Sequence, residues 1–308
     1  MAAGARNKLA NTGTKISDIE LENPLILASG ILDENGYSMK RILEDGAAAV
    51  VTKSIGREER RGYRPPIVAE ISGGLINAVG LANPGIDNFG EEISIARRAG
   101  KPVIGSVFGG TVDDFLYVSR KMESYGVAAV ELNLSCPHVE GVGSEVGSDP
   151  ELVSNIVTEL KSKLKVPVFA KLSPNVTDII EIAHAASKAD GLVLINTVRG
   201  ISIDIYARRP VLSNGYGGLS GHAIKNVGMR YTYQVKKETG MQIIGVGGIE
   251  TAEDAIEYIM SGASAVQIGT ALYSQGRNVF KSVSRGISSF MEAEGFENIS
   301  EMVGAAIS

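Results

Sequence analysis

The sequence predicts an α/β fold, a single (β/α)₈ or TIM barrel with long loops after the second and sixth strands. The first observation behind this prediction is that short apolar runs rich in β-branched residues alternate with amphipathic stretches almost to the end of the 308-residue chain. The second is that these runs are apolar throughout, which is typical of strands covered on both faces of a parallel sheet. The third is their number, because eight parallel strands can close into a barrel. An open, doubly wound sheet is the alternative.

The predicted strands follow one another at the spacing of a repeated strand–helix unit. In chain order they are Pro24–Ser29, Ala48–Ser54, Val103–Phe108, Ala128–Asn133, Val168–Ser173, Gly191–Thr197, Gln242–Gly247 and Ala265–Thr270. Between them, amphipathic stretches predict helices, and several begin with Thr or Asp, which cap the free N–H groups of a first turn. The predicted helices include Val112–Tyr125, Pro150–Leu164, Ile179–Lys188 and Thr251–Ser261.

Two predicted connections are much longer than the others, and long connections at a barrel mouth are usually functional. The first, Ile55–Gly90, follows the second strand and contains Gly73-Gly74, a pair that predicts a hairpin. The second, Val198–Lys225, follows the sixth strand. We assign residues 15–308 to one barrel domain and predict that residues 1–14, which are polar and small, form a disordered arm.

Composition excludes several classes of protein. Cys136 is the only cysteine, so an internal disulfide is impossible and a reducing cytoplasm is predicted. One cysteine also cannot hold an iron–sulfur cluster, which takes about four ligands. The net charge of −5 provides no basic surface for a nucleic acid, and no apolar run approaches the length of a membrane span. The 3 histidines lack paired spacing, so we predict no metal site.

The predicted strands end in polar or small residues, and in a barrel the carboxyl ends of the strands carry the chemistry. Lys53 and Lys171 are the most informative of these, because a lysine at such a position points into the barrel mouth. Glycines at the ends of the seventh and eighth strands, Gly245–Gly248 and Gly269-Thr270, predict a phosphate site and hence a cofactor that carries a phosphate. Plain tight turns are the alternative for the glycines. A Schiff-base aldolase is the alternative for either lysine.

Cys136 lies three residues beyond Asn133, just past the fourth strand, and a glycine-rich stretch follows it. A lone cysteine is usually a small buried hydrophobic residue. Cys136, however, lies outside the apolar runs, and glycine-rich loops of this kind form lids over active sites. The pattern alone therefore leaves both a packing role and a functional role open.

Six motifs at strand ends and in the long connections have a recognisable order and spacing. They are Val51-Thr-Lys-Ser54, Ile76-Asn-Ala-Val-Gly-Leu-Ala-Asn-Pro-Gly85, Glu131-Leu-Asn-Leu-Ser-Cys-Pro137, Ala170-Lys-Leu-Ser-Pro-Asn-Val-Thr-Asp178, Ile195-Asn-Thr197 and Gly217-Gly-Leu-Ser-Gly221. Together they resemble dihydroorotate dehydrogenases from about Ile16 to the end of the chain. The resemblance is greatest to the NAD-linked class 1B group. The membrane-associated class 2 uses serine as its base and has an N-terminal membrane extension, and this sequence has neither.

The resemblance implies that FMN is the cofactor and that dihydroorotate is oxidised to orotate in UMP biosynthesis. Cys136 would be the base that removes the C5 proton, while a hydride passes from C6 to the flavin N5. The resemblance also implies a homodimer that works with a partner subunit carrying FAD and an iron–sulfur cluster, without nucleic acid or membrane. The residues it assigns to the cofactor are Ser29, Lys53, Ser54, Ser106, Asn133, Lys171, Ile195, Gly221, Gly247, Gly248, Gly269 and Thr270. Those it assigns to the substrate are Lys53, Asn77, Ala78, Val79, Gly80, Leu81, Asn133, Asn196 and Thr197.

Two positions depart from the family pattern, since Ser106 and His138 stand where asparagine is usual. Cys-Pro-His is similar to the pyrimidine-reducing domain of dihydropyrimidine dehydrogenase, so reduction of uracil or thymine is the nearest alternative function. A Schiff-base aldolase using Lys53 or Lys171 is an alternative from another class. A tRNA-binding dihydrouridine synthase is disfavoured by the net charge of −5.

Overall fold

The computed structural model describes residues 10–135 and 146–308. Within them, eight parallel strands close into a barrel in which each strand pairs with the next along the chain and the last pairs with the first. The strands are β1 Leu25–Leu27, β2 Ala49–Val51, β3 Val103–Val107, β4 Ala129–Asn133, β5 Val168–Leu172, β6 Gly191–Leu194, β7 Ile243–Val246 and β8 Ala263–Ile268. The predicted (β/α)₈ barrel is confirmed, and the alternative of an open, doubly wound sheet is wrong.

Helices follow the barrel strands and pack around their outer surface. They are α1 Gly36–Glu44, α2 Gly90–Arg97, α3 Val112–Ser124, α4 Pro150–Lys163, α5 Ile179–Ala185, α6 Lys225–Thr239, α7 Ala252–Met260, α8 Ala271–Gln275 and α9 Asn278–Glu294, with 3₁₀ helices at Ile86–Asn88, Val146–Ser148, His222–Ile224 and Ile299–Glu301. Thr111, Asp149 and Thr251 accept N–H hydrogen bonds from the first turns of α3, α4 and α7, as their side chains predict. In the part of the chain that the structure describes, no helix has both the length and the apolarity needed to cross a bilayer.

Alternate side chains along each barrel strand enter two separate apolar layers. The inner layer fills the barrel with buried residues such as Val51, Phe169 and Val193. The larger outer layer lies between strands and helices and includes Phe115. Towards the carboxyl ends of the strands the inner positions become polar, for example from Phe169 to Lys171 on β5. One end of the barrel interior is therefore apolar and the other is available for polar chemistry.

The two long connections pair with each other in a four-stranded antiparallel sheet. Its strands, in spatial order, are Val198–Gly200, Gly217–Ser220, Gly74–Asn77 and Val68–Ile71. The hairpin predicted at Gly73-Gly74 is confirmed, because Ile71 pairs with Gly74 across it. The sheet as a whole was not predicted, since the pairing of Gly218 with Asn77 joins segments far apart in the sequence. Shorter pairs form between Thr14–Ile16 and Ile19–Leu21, Glu59–Arg60 and Asn83–Pro84, and Ile203–Asp204 and Arg209–Pro210.

Residues 10–14 contact the barrel domain. The Asn11 N–H donates to Glu297 O at 2.9 Å, and the Ile299 N–H donates to Asn11 O at 3.1 Å. Thr14 begins the first strand of the chain and its hydroxyl donates to Ser264 O at 2.8 Å. Asn11 and Thr14 are therefore attached to the barrel domain by hydrogen bonds, and the predicted domain boundary at residue 15 stays a prediction. The predicted disordered arm stays a prediction for residues 1–9, which lie outside the described residues.

Candidate functional site

A cavity of about 460 Å³ opens at the carboxyl ends of the barrel strands. The strand ends line its inner part. The sheet formed by the two long connections lines the remainder, through residues that include Val68, Leu75 and Gly218. The volume and the position are typical of a ligand site in a barrel enzyme.

Almost every residue that the sequence placed at the site lies in the wall of this cavity. The lining residues from the predicted cofactor set are Ser29, Lys53, Ser54, Asn133, Lys171, Ile195, Gly221, Gly247, Gly248, Gly269 and Thr270. Those from the predicted substrate set that have not yet been named are Asn77, Ala78, Val79, Gly80, Leu81, Asn196 and Thr197. Cys136 and His138 lie outside the described residues, but Ser135, the residue before Cys136, lines the cavity.

Ser106 differs from the other predicted cofactor ligands because it lies behind the cavity wall. Its side chain is completely buried, and its hydroxyl oxygen lies 2.8 Å from Ser54 Oγ. Ser54 does line the cavity. Ser106 therefore touches the cavity wall through Ser54, and its assignment as a cofactor residue stays a prediction.

Glycines form one end of the cavity. The backbone of Gly248, at a φ of +70°, passes so close to Gly221 that a Cβ on Gly248 would lie 2.7 Å from Gly221 O. A Cβ on Gly221, at a φ of +95°, would lie 2.7 Å from the Cα of Gly74. Side chains are therefore excluded at Gly221 and Gly248. We call this part of the cavity wall, which also includes Gly247, the glycine cradle. Backbone without side chains is typical of sites that bind an anion through N–H groups.

The side chain of Tyr258, on α7, hydrogen-bonds to the backbone at the glycine cradle. Its hydroxyl oxygen lies 2.8 Å from Gly247 O and 3.2 Å from Lys225 O, so its proton is available to either carbonyl. Burial raises the pKa of the Tyr258 hydroxyl well above its ordinary value, which keeps it protonated and able to donate. Sequence reasoning missed this role, because an aromatic residue on an amphipathic helix ordinarily signals only core packing.

A charged network occupies the inner end of the cavity. Lys171 Nζ on β5 lies 3.3 Å from Glu131 Oε1 on β4 and donates to Gln267 Oε1 on β8 at 3.2 Å. Gln267 Nε2 donates to Glu131 Oε2 at 2.6 Å. All three side chains are almost completely buried. Breaking a buried ion pair by removing one partner costs about 3–5 kcal/mol, because the other charge is left uncompensated.

Sequence reasoning assigned a role to Lys171 but missed Glu131 and Gln267. The signal was present, since each is a polar residue at an inner position of an otherwise apolar strand. A polar side chain inside a barrel needs a partner, and a strand-end lysine is a natural one.

A row of hydroxyl and amide side chains continues from this network around the cavity wall. Ser54 Oγ lies 3.4 Å from Ser29 Oγ and accepts from Asn133 Nδ2 at 3.1 Å. Asn133 Oδ1 accepts from Asn196 Nδ2 and from the Ser135 N–H, at 3.2 Å each. Each of the two amide groups donates one hydrogen bond within the described residues. Since an NH₂ group has two protons, each asparagine keeps one N–H for a ligand.

Lys53 lies beside two acidic residues of the loop after β1. Lys53 Nζ donates to Glu34 Oε1 at 2.9 Å, and the Lys53 side chain is 10% exposed whereas that of Glu34 is 69% exposed. Burial raises the pKa of Asp33 to about 6, against the lowering effects of its hydrogen bond from the Gly30 N–H and of the Lys53 charge. Because its carboxylate partner remains in solvent, Lys53 can also interact with an acidic ligand in the cavity that it lines.

No group of three His, Cys, Asp or Glu side chains within residues 10–135 and 146–308 is arranged to hold a metal ion. The expectation that the whole chain has no metal site stays a prediction.

Comparison with known proteins gives one consistent result. The sequence pattern of the dihydroorotate dehydrogenase family matches residues 12–291. A protein of Thermoplasma acidophilum named dihydroorotate dehydrogenase B (NAD(+)), catalytic subunit, is 66% identical over 299 residues, which cover 97% of this chain and 100% of that protein. Proteins of the same name from Methanocaldococcus jannaschii and Pyrococcus furiosus are each 49% identical, over 95% and 94% of this chain and 97% and 96% of theirs. The similarity therefore covers the whole barrel and both long connections.

Proposed function

Because this chain belongs to the dihydroorotate dehydrogenase family, we propose that it oxidises dihydroorotate to orotate as the catalytic subunit of an NAD-linked enzyme of pyrimidine biosynthesis. The observation that carries the proposal is that one cavity joins a glycine cradle to two lysines and a row of amides. Desaturating a C–C bond beside a carbonyl removes a proton and a hydride from neighbouring carbons. The site therefore needs a base, a hydride acceptor and groups that hold a polar ring.

We infer that the hydride acceptor is a flavin and that its form is FMN. A flavin supplies the hydride-accepting ring, a chemistry that amino-acid side chains lack. The glycine cradle fits the phosphate of such a cofactor, since Gly221 and Gly248 leave room for backbone N–H groups and no room for side chains. Lys171 provides a fixed positive charge at the inner end of the cavity, where negative charge grows when electrons arrive.

The amide row fits the pyrimidine ring of the substrate. Dihydroorotate presents carbonyl and carboxylate oxygens, which accept hydrogen bonds, and ring N–H groups, which donate them. Asn133 and Asn196 each have an N–H to offer, and Asn77 and Thr197 lie in the same wall. Lys53 complements the carboxylate with its charge. The set therefore orients the ring and selects for an acidic pyrimidine.

We propose Cys136 as the base that removes the C5 proton. Ser135 brings the chain to the cavity wall immediately before Cys136, next to Asn133. A thiolate in that place takes the proton on one face of the ring while the hydride leaves on the other. The aldolase alternative is disfavoured, because a Schiff base requires a neutral amine and both lysines are ion-paired, Lys53 with Glu34 and Lys171 with Glu131.

We propose that the chain works as a homodimer with a partner subunit that carries FAD and an iron–sulfur cluster. Its relatives are named catalytic subunits of an NAD-linked enzyme, which supports a separate electron-transfer subunit. A candidate surface for such an association lies in the second long connection, where Ile201, Ile203, Ile205 and Tyr206 are each at least half exposed, at 58%, 50%, 72% and 92%. Apolar side chains clustered on a surface are typical of protein interfaces.

The purified protein is expected to be yellow, with about one tightly bound FMN per chain and a released cofactor that carries a single phosphate. Gly248→Ala is expected to lower the flavin content about tenfold or more, since losing about 1.4 kcal/mol of binding energy has that effect. The new Cβ would force apart the backbone of the cradle. Absorption spectra of the purified proteins measure the flavin content directly.

Gly240→Ala is the matched control for this experiment. Gly240 has a similar φ of +66°, but a Cβ there would meet no atom within 4 Å, and the residue ends α6 away from the cavity. The control is expected to keep its flavin. A colourless wild-type protein that borohydride traps on lysine with a carbonyl substrate would establish the aldolase instead.

The isolated chain is expected to oxidise dihydroorotate with an artificial dye but not with NAD. It has no dinucleotide-binding fingerprint, and its single cysteine cannot hold the cluster through which electrons would pass. NADH formation and dye reduction, followed side by side on the same preparation, measure the difference. Rapid NAD reduction by the isolated chain contradicts the need for a partner subunit, and rapid turnover with fumarate favours class 1A.

A further inference from the structure

The network of Lys171, Glu131 and Gln267 has a defined hydrogen-bond direction. Gln267 must present its oxygen to the Lys171 ammonium and its NH₂ group to the Glu131 carboxylate, because an ammonium only donates and a carboxylate only accepts. The amide therefore links the two charges, and neither can move without breaking a buried hydrogen bond.

Glu131 is the anion that compensates Lys171. The distance of 3.3 Å between Lys171 Nζ and Glu131 Oε1 is within ion-pair range, and the Lys171 and Glu131 side chains are only 8% and 1% exposed. Glu131 Oε1 has no hydrogen-bond partner among the described residues, so its contact with Lys171 is electrostatic and not an aligned hydrogen bond. Removing such an anion leaves the buried Lys171 charge uncompensated, so the side chain is no longer held in this position.

We propose that Glu131 is a positioning residue that holds the Lys171 ammonium at the inner end of the cavity, and that it thereby sets the affinity of the bound flavin for electrons. The inference rests on the proposed function, since it concerns the flavin that this cavity is proposed to hold. Glu131 and Gln267 would thus influence the electron affinity of the flavin, and they would do so entirely through Lys171.

Sulfite binding and flavin reduction potential test the proposal without measuring turnover. Sulfite adds to oxidised flavin and places negative charge on the ring, so its affinity reports the positive charge nearby. Glu131→Gln is expected to weaken sulfite binding about tenfold or more and to lower the reduction potential by about 30 mV for each tenfold change, the conversion for a two-electron couple. The double variant Glu131→Gln/Lys171→Met is expected to match Lys171→Met alone, because Glu131 is proposed to act only through Lys171.

Asp190→Asn is the matched control. Asp190 Oδ2 accepts from Lys161 Nζ at 2.6 Å and from the Val168 N–H at 2.7 Å, so this variant also removes a lysine-paired carboxylate that supports β5. Asp190, however, is not part of the cavity wall. The control is expected to leave sulfite affinity and potential unchanged, even where thermal stability falls.

The outcomes separate the inference from the proposed function. A Glu131→Gln protein that binds flavin with wild-type or tighter sulfite affinity overturns the inference and leaves the function intact. A wild-type chain that binds no flavin overturns the function itself. If Glu131→Gln does not fold, Gln267→Met decides: it keeps both charges but removes the link between them, and it is expected to weaken sulfite binding by a smaller factor. Unchanged binding in that variant overturns the inference equally.

Discussion

The Cys136→Ala variant is expected to lose about 10²- to 10⁴-fold in kcat with dihydroorotate, the usual contribution of a positioned general base. Flavin content should be unchanged, because the glycine cradle at Gly221, Gly247 and Gly248 is formed by other parts of the chain. Steady-state kinetics, with FMN occupancy measured on the same samples, separates loss of the base from loss of the cofactor.

The pH dependence gives a second measurement of the same role. A free thiol has a pKa of about 8.5, so only a small fraction is thiolate near neutral pH. Since the thiolate is the competent base, kcat/KM should rise with pH toward about 8 to 9 and then level off. Cys136→Ser should keep some activity, displaced to higher pH, because a hydroxyl is a much weaker acid than a thiol.

Ser135→Ala is the control for a change in this segment that leaves the base in place. The Ser135 side chain lines the cavity, and its hydroxyl is buried without a hydrogen-bond partner among the described residues. Its removal should alter the rate by a few-fold at most. If Cys136→Ala lowers stability but keeps the wild-type rate and pH profile, Cys136 only packs beneath its loop and the proposed mechanism is wrong.

The barrel was predictable because its strands depend on local sequence. Each predicted strand is a short, mostly apolar run, and such a run can be recognised from a few consecutive residues without knowing what packs against it. The sheet between the long connections was not predictable in this way. It requires Gly218 to pair with Asn77, and neither segment has the continuous apolar run or the regular alternation by which a strand is recognised. Its register depends on how the closed barrel brings the two loops together.

The site was predictable to the extent that barrel topology fixes it. Strand-end residues such as Lys53 and Asn133 lie in the cavity because every parallel strand ends at the same rim. Residues that act through others were missed. Glu131 lies two residues before Asn133 on β4, further inside the barrel, and Asp33 is buried in the loop after β1. Finding them required the distances between side chains.

Dihydroorotate is expected to exceed dihydrouracil in kcat/KM by about 10³-fold or more. The two rings differ in the carboxylate, and Lys53 is the group proposed to receive it. A site built to pair with a polar group rejects an analogue that lacks the group, because the interaction is lost with that analogue. Lys53 is only 8% exposed, whereas its partner Glu34 is 69% exposed, so a substrate carboxylate gives the buried ammonium a second partner that is better shielded from water.

Lys53→Met tests which residue makes that distinction. The variant should lose most of its activity with dihydroorotate and little with dihydrouracil, so the ratio of the two kcat/KM values should fall towards unity. Lys40→Met is the matched control, since Lys40 is paired with Glu44 on the outer surface of α1 and is remote from the cavity. It should preserve the wild-type ratio.

Comparing the kcat/KM values of the two substrates also distinguishes dihydroorotate oxidation from reduction of uracil or thymine. If the wild-type chain turns over dihydrouracil or uracil as well as it does dihydroorotate, the charge on Lys53 contributes nothing to selection. His138 then marks a pyrimidine reductase, because Cys-Pro-His is the sequence that departs from the family pattern. Strong preference for dihydroorotate instead supports selection of the carboxylate by Lys53, and it shows that His138 alone does not make the site a pyrimidine reductase.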